Sequence, residues 1–118
     1  MGIKNTYKCN KCNYTVLTSA GKDRGFIAVV DTFICKRCNN IVDVCVGEEG
    51  ETYKRRDVLF KRMKTKHKLD FFSCPICSSK TDLVKWKTRL RPCPKCDGKM
   101  EFDSEGEQIL WELSLIHI

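Results

Sequence analysis

Eight of the nine cysteines in this 118-residue chain stand in four Cys-x-x-Cys pairs, and this pattern constrains the fold more than any other feature. Two thiolates three positions apart can face one ion, because a tight turn brings both sulfur atoms to the same side. Two such turns supply the four ligands of a tetrahedral metal site. The pairs are Cys9 and Cys12, Cys35 and Cys38, Cys74 and Cys77, and Cys93 and Cys96.

The residues beside the pairs also suit metal-binding turns. The position after the second cysteine commonly adopts a left-handed backbone, which Gly, Asn and Asp tolerate best. Asn13, Asn39 and Asp97 meet this requirement at three of the pairs, whereas Ser78 meets it less well at the fourth. We therefore expect tight turns that present both sulfur atoms of each pair on one side.

These turns resemble the rubredoxin-like knuckles of tandem zinc-ribbon proteins. The resemblance covers residues 6–47 and 70–112, and it implies a small, metal-stabilised, mostly β fold that binds two Zn²⁺ ions. Two ribbons of short antiparallel strands are expected. The chain length agrees with this, because a unit of fewer than about 60 residues rarely gains enough stability from apolar burial alone.

The pairs can share ions in more than one way. Sequential pairing joins the first pair to the second and the third to the fourth, with 22 and 15 residues between the joined turns. We predict this arrangement, because closing a shorter loop costs less chain entropy. The alternative is a crossed arrangement, in which the first pair joins the third and the second joins the fourth.

Sequential pairing divides the chain into two ribbons, over residues 1–47 and 70–112, joined by a basic linker over residues 48–69. Runs of β-branched and apolar residues predict the strands. The polar residues 104–107 predict the turn of a hairpin. The predicted strands cover residues 14–18, 26–34, 41–46, 69–72, 83–91, 99–103 and 108–111.

The linker is predicted to be helical, because apolar and aromatic residues recur at helical intervals from Tyr53 to His67. We place this helix at about residues 52–66. Its basic side chains could contact nucleic-acid phosphates, or they could be a solvated helix face. His67 is interpreted as a surface residue. The basic residues of segment 54–68 are Lys54, Arg55, Arg56, Lys61, Arg62, Lys64, Lys66 and Lys68.

A second basic segment alternates with apolar residues as an extended strand would. It is either a phosphate-contacting edge or a strand edge protected by charge against aggregation. Trp86, on the opposite side, is predicted to lie in the core. The basic residues of this segment, 85–91, are Lys85, Lys87, Arg89 and Arg91.

The overall charge gives little support to nucleic-acid binding. The formal net charge is +7, with all cysteines counted as neutral. Two zinc ions held by eight thiolates contribute about −4, which leaves about +3. The distribution of the basic residues therefore matters more than their number.

Other uses of the cysteines are less favoured. A disulfide framework needs an oxidising compartment, and residues 1–8 contain no apolar stretch of signal-peptide length, so we expect a cytoplasmic location. Cys45 is interpreted as a small apolar filler, although a reactive thiol is the alternative. Four thiolates can also bind iron, which is the alternative metal.

No apolar window in the sequence is long enough to span a membrane.

The predicted function is a non-enzymatic zinc-binding module that contacts RNA, DNA or a protein of a nucleoprotein complex through segments 54–68 and 85–91. A protein-interaction or structural module and a rubredoxin-like iron electron-transfer protein are the alternatives. Catalytic zinc keeps an open position, whereas four cysteines close each site, so no enzyme is predicted. No site for a small-molecule substrate is evident.

The last six residues are interpreted separately. Residues 113–118 resemble a translated sequencing-library adapter, and we exclude His117 from any site. A genuine apolar final strand is the alternative.

Overall fold

The computed structural model describes residues 2–25, 28–59 and 70–111, and these residues form mainly short β-strands. The described helix, α1 (Arg55–Leu59), is five residues long. Among the described residues, none of the helical structure has the length and apolarity that a membrane crossing requires. The strands are β1 (Gly2–Cys9), β2 (Thr15–Thr18), β3 (Asp23–Arg24), β4 (Ala28–Cys35), β5 (Asn40–Glu48), β6 (Glu51–Thr52), β7 (Leu83–Lys85), β8 (Met100–Phe102) and β9 (Gln108–Trp111).

The first sheet is organised around β1, a strand that the sequence did not predict. One edge of β1 pairs with β2. The other edge pairs with β8 and then with β9, both antiparallel to β1. The strands β8 and β9 therefore lie end to end along a single neighbour.

The predicted hairpin around residues 104–107 is wrong, because β8 and β9 both pair with β1. Tyr7 lies opposite Phe102 and Asn5 lies opposite Gln108, so four extra residues loop out between the two strands. This loop encloses Thr6, whose hydroxyl donates a hydrogen bond to the carbonyl of Glu107 at 2.8 Å. The turn-forming residues thus make a bulge, because β1 is long enough to pair with both strands.

The second sheet is built on the long antiparallel pair β4 and β5. The other edge of β4 carries β3 near its beginning and β7 near its end, and β6 pairs with β5. The register shifts at Val29 and Val30, which leaves Val46 as the extra residue of a β-bulge. The strands predicted at residues 41–46 and over the described part of 26–34 are confirmed.

The predicted helix over residues 52–66 is not supported. Tyr53 is held outside any helix, because its N–H donates to the carbonyl of Val46 at 2.9 Å and its hydroxyl donates to Glu48 at 2.6 Å. Its ring also packs edge-on against Phe71. These tertiary contacts explain why α1 begins only at Arg55. Residues 60–69 lie outside the described part of the chain.

The predicted strand over residues 83–91 ends after Lys85. The chain then turns, and the N–H of Arg91 donates to the carbonyl of Lys87 at 2.7 Å. Trp86 is 1% exposed, which confirms its predicted place in the core. Burial of its ring is compatible with a turn here, because the indole Nε1–H donates to the carbonyl of Pro92 at 2.9 Å.

The predicted strand at residues 69–72 is also wrong in its described part, since residues 71–72 form a turn.

Two apolar clusters lie beside the two sheets. One surrounds β4 and β5 and includes Val30, Val44 and Phe71. The other includes Ile34 of the second sheet and Met100 of the first, and it therefore joins the two sheets. Residues from both predicted ribbons contribute to this second cluster, so the strands on either side of the linker share a common core.

A buried carboxylate reinforces the contact between the sheets. Asp43 is 4% exposed, and its Oδ1 accepts hydrogen bonds from the hydroxyls of Thr18 at 2.6 Å and Thr32 at 2.9 Å. Its Oδ2 accepts from the N–H of Ser19 at 2.8 Å and lies 3.8 Å from the ammonium of Lys4. These partners satisfy the buried charge and connect β1, β2, β4 and β5.

Candidate metal centres

The first candidate centre, the outer cluster, combines the first and last Cys-x-x-Cys pairs. The Sγ atoms of Cys9 and Cys96 lie 3.4 Å apart, and those of Cys12 and Cys93 lie 3.7 Å apart. All four sulfur atoms lie within 4.8 Å of one another. The outer cluster is therefore a compact group of four potential ligands.

The second candidate centre, the inner cluster, combines the two middle pairs. The Sγ atoms of Cys35 and Cys77 lie 3.5 Å apart, and those of Cys38 and Cys74 lie 3.8 Å apart. These four atoms also lie within 4.8 Å of one another. In each cluster two cysteines are buried and two are half-buried.

The sulfur–sulfur distances have the size that a tetrahedral metal site requires. A metal–sulfur bond of about 2.3 Å gives tetrahedral edges of about 3.8 Å. A disulfide would need a separation of about 2.05 Å, and all nine cysteines are free thiols. The two clusters could therefore each hold one metal ion.

The predicted sequential pairing is wrong, and so is the crossed alternative. The pairs are nested: the first joins the fourth, and the second joins the third. Strand pairing explains this, because Cys9 lies opposite Met100 and Cys35 lies opposite Leu83. The difference in loop-closure entropy between the possible pairings is too small to select one of them. A fourfold longer loop costs only about 1 kcal/mol more to close, and a few strand hydrogen bonds and buried side chains can offset that.

Nested pairing also changes how the predicted ribbons relate to the metal centres. Each cluster takes one pair from residues 1–47 and one from residues 70–112. The strands that flank the outer cluster, β1 and β8, come from both ranges, as do β4 and β7 beside the inner cluster. Neither range holds a complete set of four cysteines from one cluster.

Backbone N–H groups are aimed at the sulfur atoms of the outer cluster. Cys9 Sγ accepts from the N–H groups of Lys11 at 3.3 Å and Cys12 at 3.4 Å, and Cys96 Sγ accepts from Gly98 at 3.2 Å. The bond from Cys12 is the largest of the effects that lower the pKa of Cys9 to about 6. These donors stabilise thiolates, which are the form that binds a metal.

Burial has the opposite effect on one cysteine in each cluster. Removal from water raises the pKa of Cys93 in the outer cluster and of Cys74 in the inner cluster, each to about 12. Thiols in such surroundings are protonated at neutral pH unless a cation stabilises the thiolate. A divalent ion that binds at either cluster would therefore displace these protons, and its charge would stabilise the thiolates.

The outer cluster also requires a residue without a side chain. A Cβ atom added to Gly98 would lie 2.7 Å from Cys9 Sγ. Real carbon and sulfur atoms do not approach so closely, so the backbone of Gly98 can lie against the cluster only because the residue is glycine.

The left-handed backbone that we predicted after each pair occurs only at the inner cluster. Asn39 has φ 53° and Ser78 has φ 64°, whereas Asn13 and Asp97 do not have positive φ values. Both left-handed residues donate their N–H to a carbonyl at the start of the same turn, Asn39 to Cys35 and Ser78 to Cys74. The prediction is confirmed at Asn39 and wrong at Asn13 and Asp97, and Ser78 adopts the conformation despite its residue type.

Cys45 belongs to neither cluster. It is 6% exposed among the apolar residues beside β4 and β5, and its thiol contacts the carbonyl of Gly47 at 3.5 Å. Burial raises its pKa to about 11. This is the environment of an unreactive thiol and agrees with its interpretation as a small apolar filler.

Among the described residues of the predicted basic segments, three make side-chain contacts within the chain. The guanidinium of Arg55 donates to the carbonyls of Leu83 and Lys80. Lys85 forms an ion pair with Asp31 at 2.8 Å. The guanidinium of Arg91 donates to Thr88 and lies 5.8 Å from the centre of the Tyr7 ring. The exposed residues are Lys54, Arg56, Lys87 and Arg89, together with Lys85, which is exposed despite its ion pair. Those outside the described part are Lys61, Arg62, Lys64, Lys66 and Lys68.

The role of Asp43 was not predicted from the sequence. The available signal was an acidic residue between Val42 and Val44 in a strongly apolar strand. A carboxylate in such a strand needs buried donors, and the structure supplies them from β2 and β4.

No protein-family model, curated protein or solved structure matches this chain. The geometry of the clusters nevertheless agrees with the resemblance drawn from the sequence. Two clusters of paired Cys-x-x-Cys turns in a small, mostly β chain fit the knuckles of tandem zinc ribbons.

Proposed function

We propose that each cluster binds one structural Zn²⁺ ion and that the chain is a non-enzymatic module held together by these two ions. The observation that carries this proposal is the pair of four-sulfur clusters, in each of which the four Sγ atoms lie within 4.8 Å of one another. Four thiolates fill the coordination of a tetrahedral ion and leave no position for a substrate. Zinc is the proposed metal because closed sites of four cysteines are typical of structural zinc.

Elemental analysis and native mass spectrometry of the purified chain test the metal. We expect two zinc ions in a colourless protein, and loss of the β-sheet circular-dichroism signal when a strong chelator removes them. A red protein with stoichiometric iron would instead support the electron-transfer alternative. Thiolate ligands require a reducing environment, so the cytoplasm is the proposed location.

We also propose that the basic side of the linker contacts nucleic acid. Lys54 and Arg56 support this, because both are exposed while Arg55 between them turns inward to the carbonyls near β7. Two exposed cations close together along the chain can approach neighbouring phosphates. For binding of this kind, the logarithm of the binding constant falls linearly with the logarithm of the salt concentration, because counterions are released from the nucleic acid.

Fluorescence anisotropy with labelled RNA and DNA oligonucleotides tests the contact. We expect Lys54→Gln/Arg56→Gln to bind more weakly than the unsubstituted chain at low salt and to show a smaller salt dependence. Lys8→Gln/Lys99→Gln removes two exposed charges elsewhere and is the matched control. Equal binding by the two variants, or binding that is insensitive to salt, would contradict the proposal.

A protein-interaction module is the second candidate function. The observation that favours it is the use of Arg55, Lys85 and Arg91 in contacts within the chain, which reduces the charge available for phosphates. Recovery of a stoichiometric protein partner after nuclease treatment would favour this candidate over nucleic-acid binding.

A further inference from the structure

A groove on the surface beside β7 is the feature that the metal centres and the linker do not explain. Residues 84–90 line it, and its volume is about 630 Å³. Val84 is 49% exposed and Leu90 is 63% exposed, so two aliphatic side chains of the groove face solvent. This volume falls within the range of about 300 to 1,000 Å³ that is typical of binding pockets.

The groove is held in shape by contacts beneath it. Val84 lies in β7, paired with Ile34 of β4. Trp86 is buried and hydrogen-bonded to the carbonyl of Pro92, and the turn that follows is closed by the bond from Arg91 to Lys87. The exposed aliphatic side chains are therefore presented by an ordered segment whose core contacts are already made.

The charge around the groove has one sign. Among its lining residues Lys85, Lys87 and Arg89 are basic, and none is acidic. All three side chains are exposed, and Lys85 differs from Lys87 and Arg89 in its ion pair with Asp31. An occupant must therefore bring its own negative charge together with an apolar group.

We propose that this groove binds an acidic protein segment that inserts an aliphatic side chain between Val84 and Leu90. Carboxylates on either side of that anchor would contact Lys87 and Arg89. A nucleic acid fits less well, because base stacking needs an exposed ring and the aromatic residue of the groove, Trp86, is 1% exposed. The groove and the proposed nucleic-acid contact use different side chains, since neither Lys54 nor Arg56 lines the groove, so substitutions can test the two proposals one at a time.

The test uses the zinc-loaded chain and a fluorescent peptide with one leucine flanked by aspartates and glutamates. Two further peptides replace the leucine by serine or the acids by their amides. We expect saturable, salt-sensitive binding of the first peptide and binding at least about tenfold weaker for the other two. Val84→Ser/Leu90→Ser and Lys87→Gln/Arg89→Gln should each weaken the first peptide about tenfold, whereas Lys8→Gln/Lys99→Gln should not.

Zinc content and circular dichroism of each variant test whether the fold is intact. We expect an intact fold, because every substituted side chain, including those of the control variant, is exposed. Absence of saturable binding, or binding that neither groove variant weakens, overturns the proposal. The proposal is also overturned if an oligonucleotide displaces the peptide and binds Val84→Ser/Leu90→Ser as tightly as the unsubstituted chain. That result would mean that Lys87 and Arg89 bind phosphates.

Discussion

The Sγ atom of Cys12 lies 3.7 Å from the Sγ atom of Cys93, although 81 positions separate the two residues in the sequence. The inner cluster lies entirely between these two residues along the chain. A metal ion in the outer cluster therefore closes a loop that contains the other metal centre. This nesting makes the two sites thermodynamically dependent on each other.

The first prediction follows from that dependence. Removing the inner site with Cys35→Ser/Cys74→Ser should weaken zinc binding at the outer cluster, because the outer loop is then no longer shortened by the inner one. Loop entropy alone predicts about a threefold loss, and the lost contacts between the sheets add to it. Competition with a chromophoric chelator measures the affinity. An unchanged affinity at the outer cluster would show that the sites are independent.

The second prediction concerns Asp43. Asp43→Ala removes the acceptor of three buried or half-buried donors, and it should lower the free energy of unfolding by about 2 to 4 kcal/mol. Asp97→Ala is the control, because its ion pair with Lys11 is exposed and should contribute less than about 1 kcal/mol. Urea unfolding of the zinc-loaded chain measures both, and equal effects would contradict the role assigned to Asp43.

The third prediction concerns the reactivity of Cys45. Because burial raises its pKa from 9.0 to about 11, Cys45 should resist alkylation in the folded chain at neutral pH. Peptide mass spectrometry should find it modified only after zinc is removed. Rapid alkylation of Cys45 in the zinc-loaded chain would support a reactive thiol instead.

The same pKa shift gives a pH dependence of stability. The unfolded chain releases the Cys45 proton at lower pH than the folded chain, so this contribution is present below about pH 9 and is lost as the pH rises towards about 11. Cys45→Ala should reduce this loss. Unfolding curves that change identically with pH in both proteins would contradict the assignment.

The fourth prediction concerns Gly98. Gly98→Ala places a Cβ atom too close to Cys9 Sγ, and the displacement should weaken zinc binding at the outer cluster by about tenfold or more. The inner cluster should keep its affinity. Lys99→Ala changes the neighbouring exposed residue and should leave both sites unchanged. An outer site that binds zinc normally in Gly98→Ala would show that the turn can adjust.

The eight clustered cysteines were predictable because the chemistry is encoded within each turn. Two cysteines three positions apart can point both sulfur atoms at one ion whatever the rest of the chain does. The strands β4 and β5 were predictable for a similar reason, since runs such as Ile41 to Val46 favour strand structure locally. Trp86 was placed in the core because a large apolar side chain is buried in a strand or in a turn alike.

The partners of each turn were not predictable, because they depend on contacts between distant segments. The strand β1 contains Lys4, Asn5 and Thr6 and has little apolar pattern, yet it pairs with three other strands. Without β1, nothing in the sequence indicates that Cys9 lies beside Met100. The place of Tyr53 outside α1 was not predictable for the same reason, since its contacts with Glu48 and Phe71 are invisible in a local window.

The nested pairing is tested most directly by counting zinc ions in two double variants of the full chain with native mass spectrometry. Cys9→Ser/Cys93→Ser removes two ligands from the outer cluster, and it should retain one zinc ion at the inner cluster. Cys9→Ser/Cys35→Ser removes one ligand from each cluster, and it should retain no tightly bound ion. The opposite result, no ion in the first variant and one in the second, would show that the pairs are joined sequentially and would contradict the account.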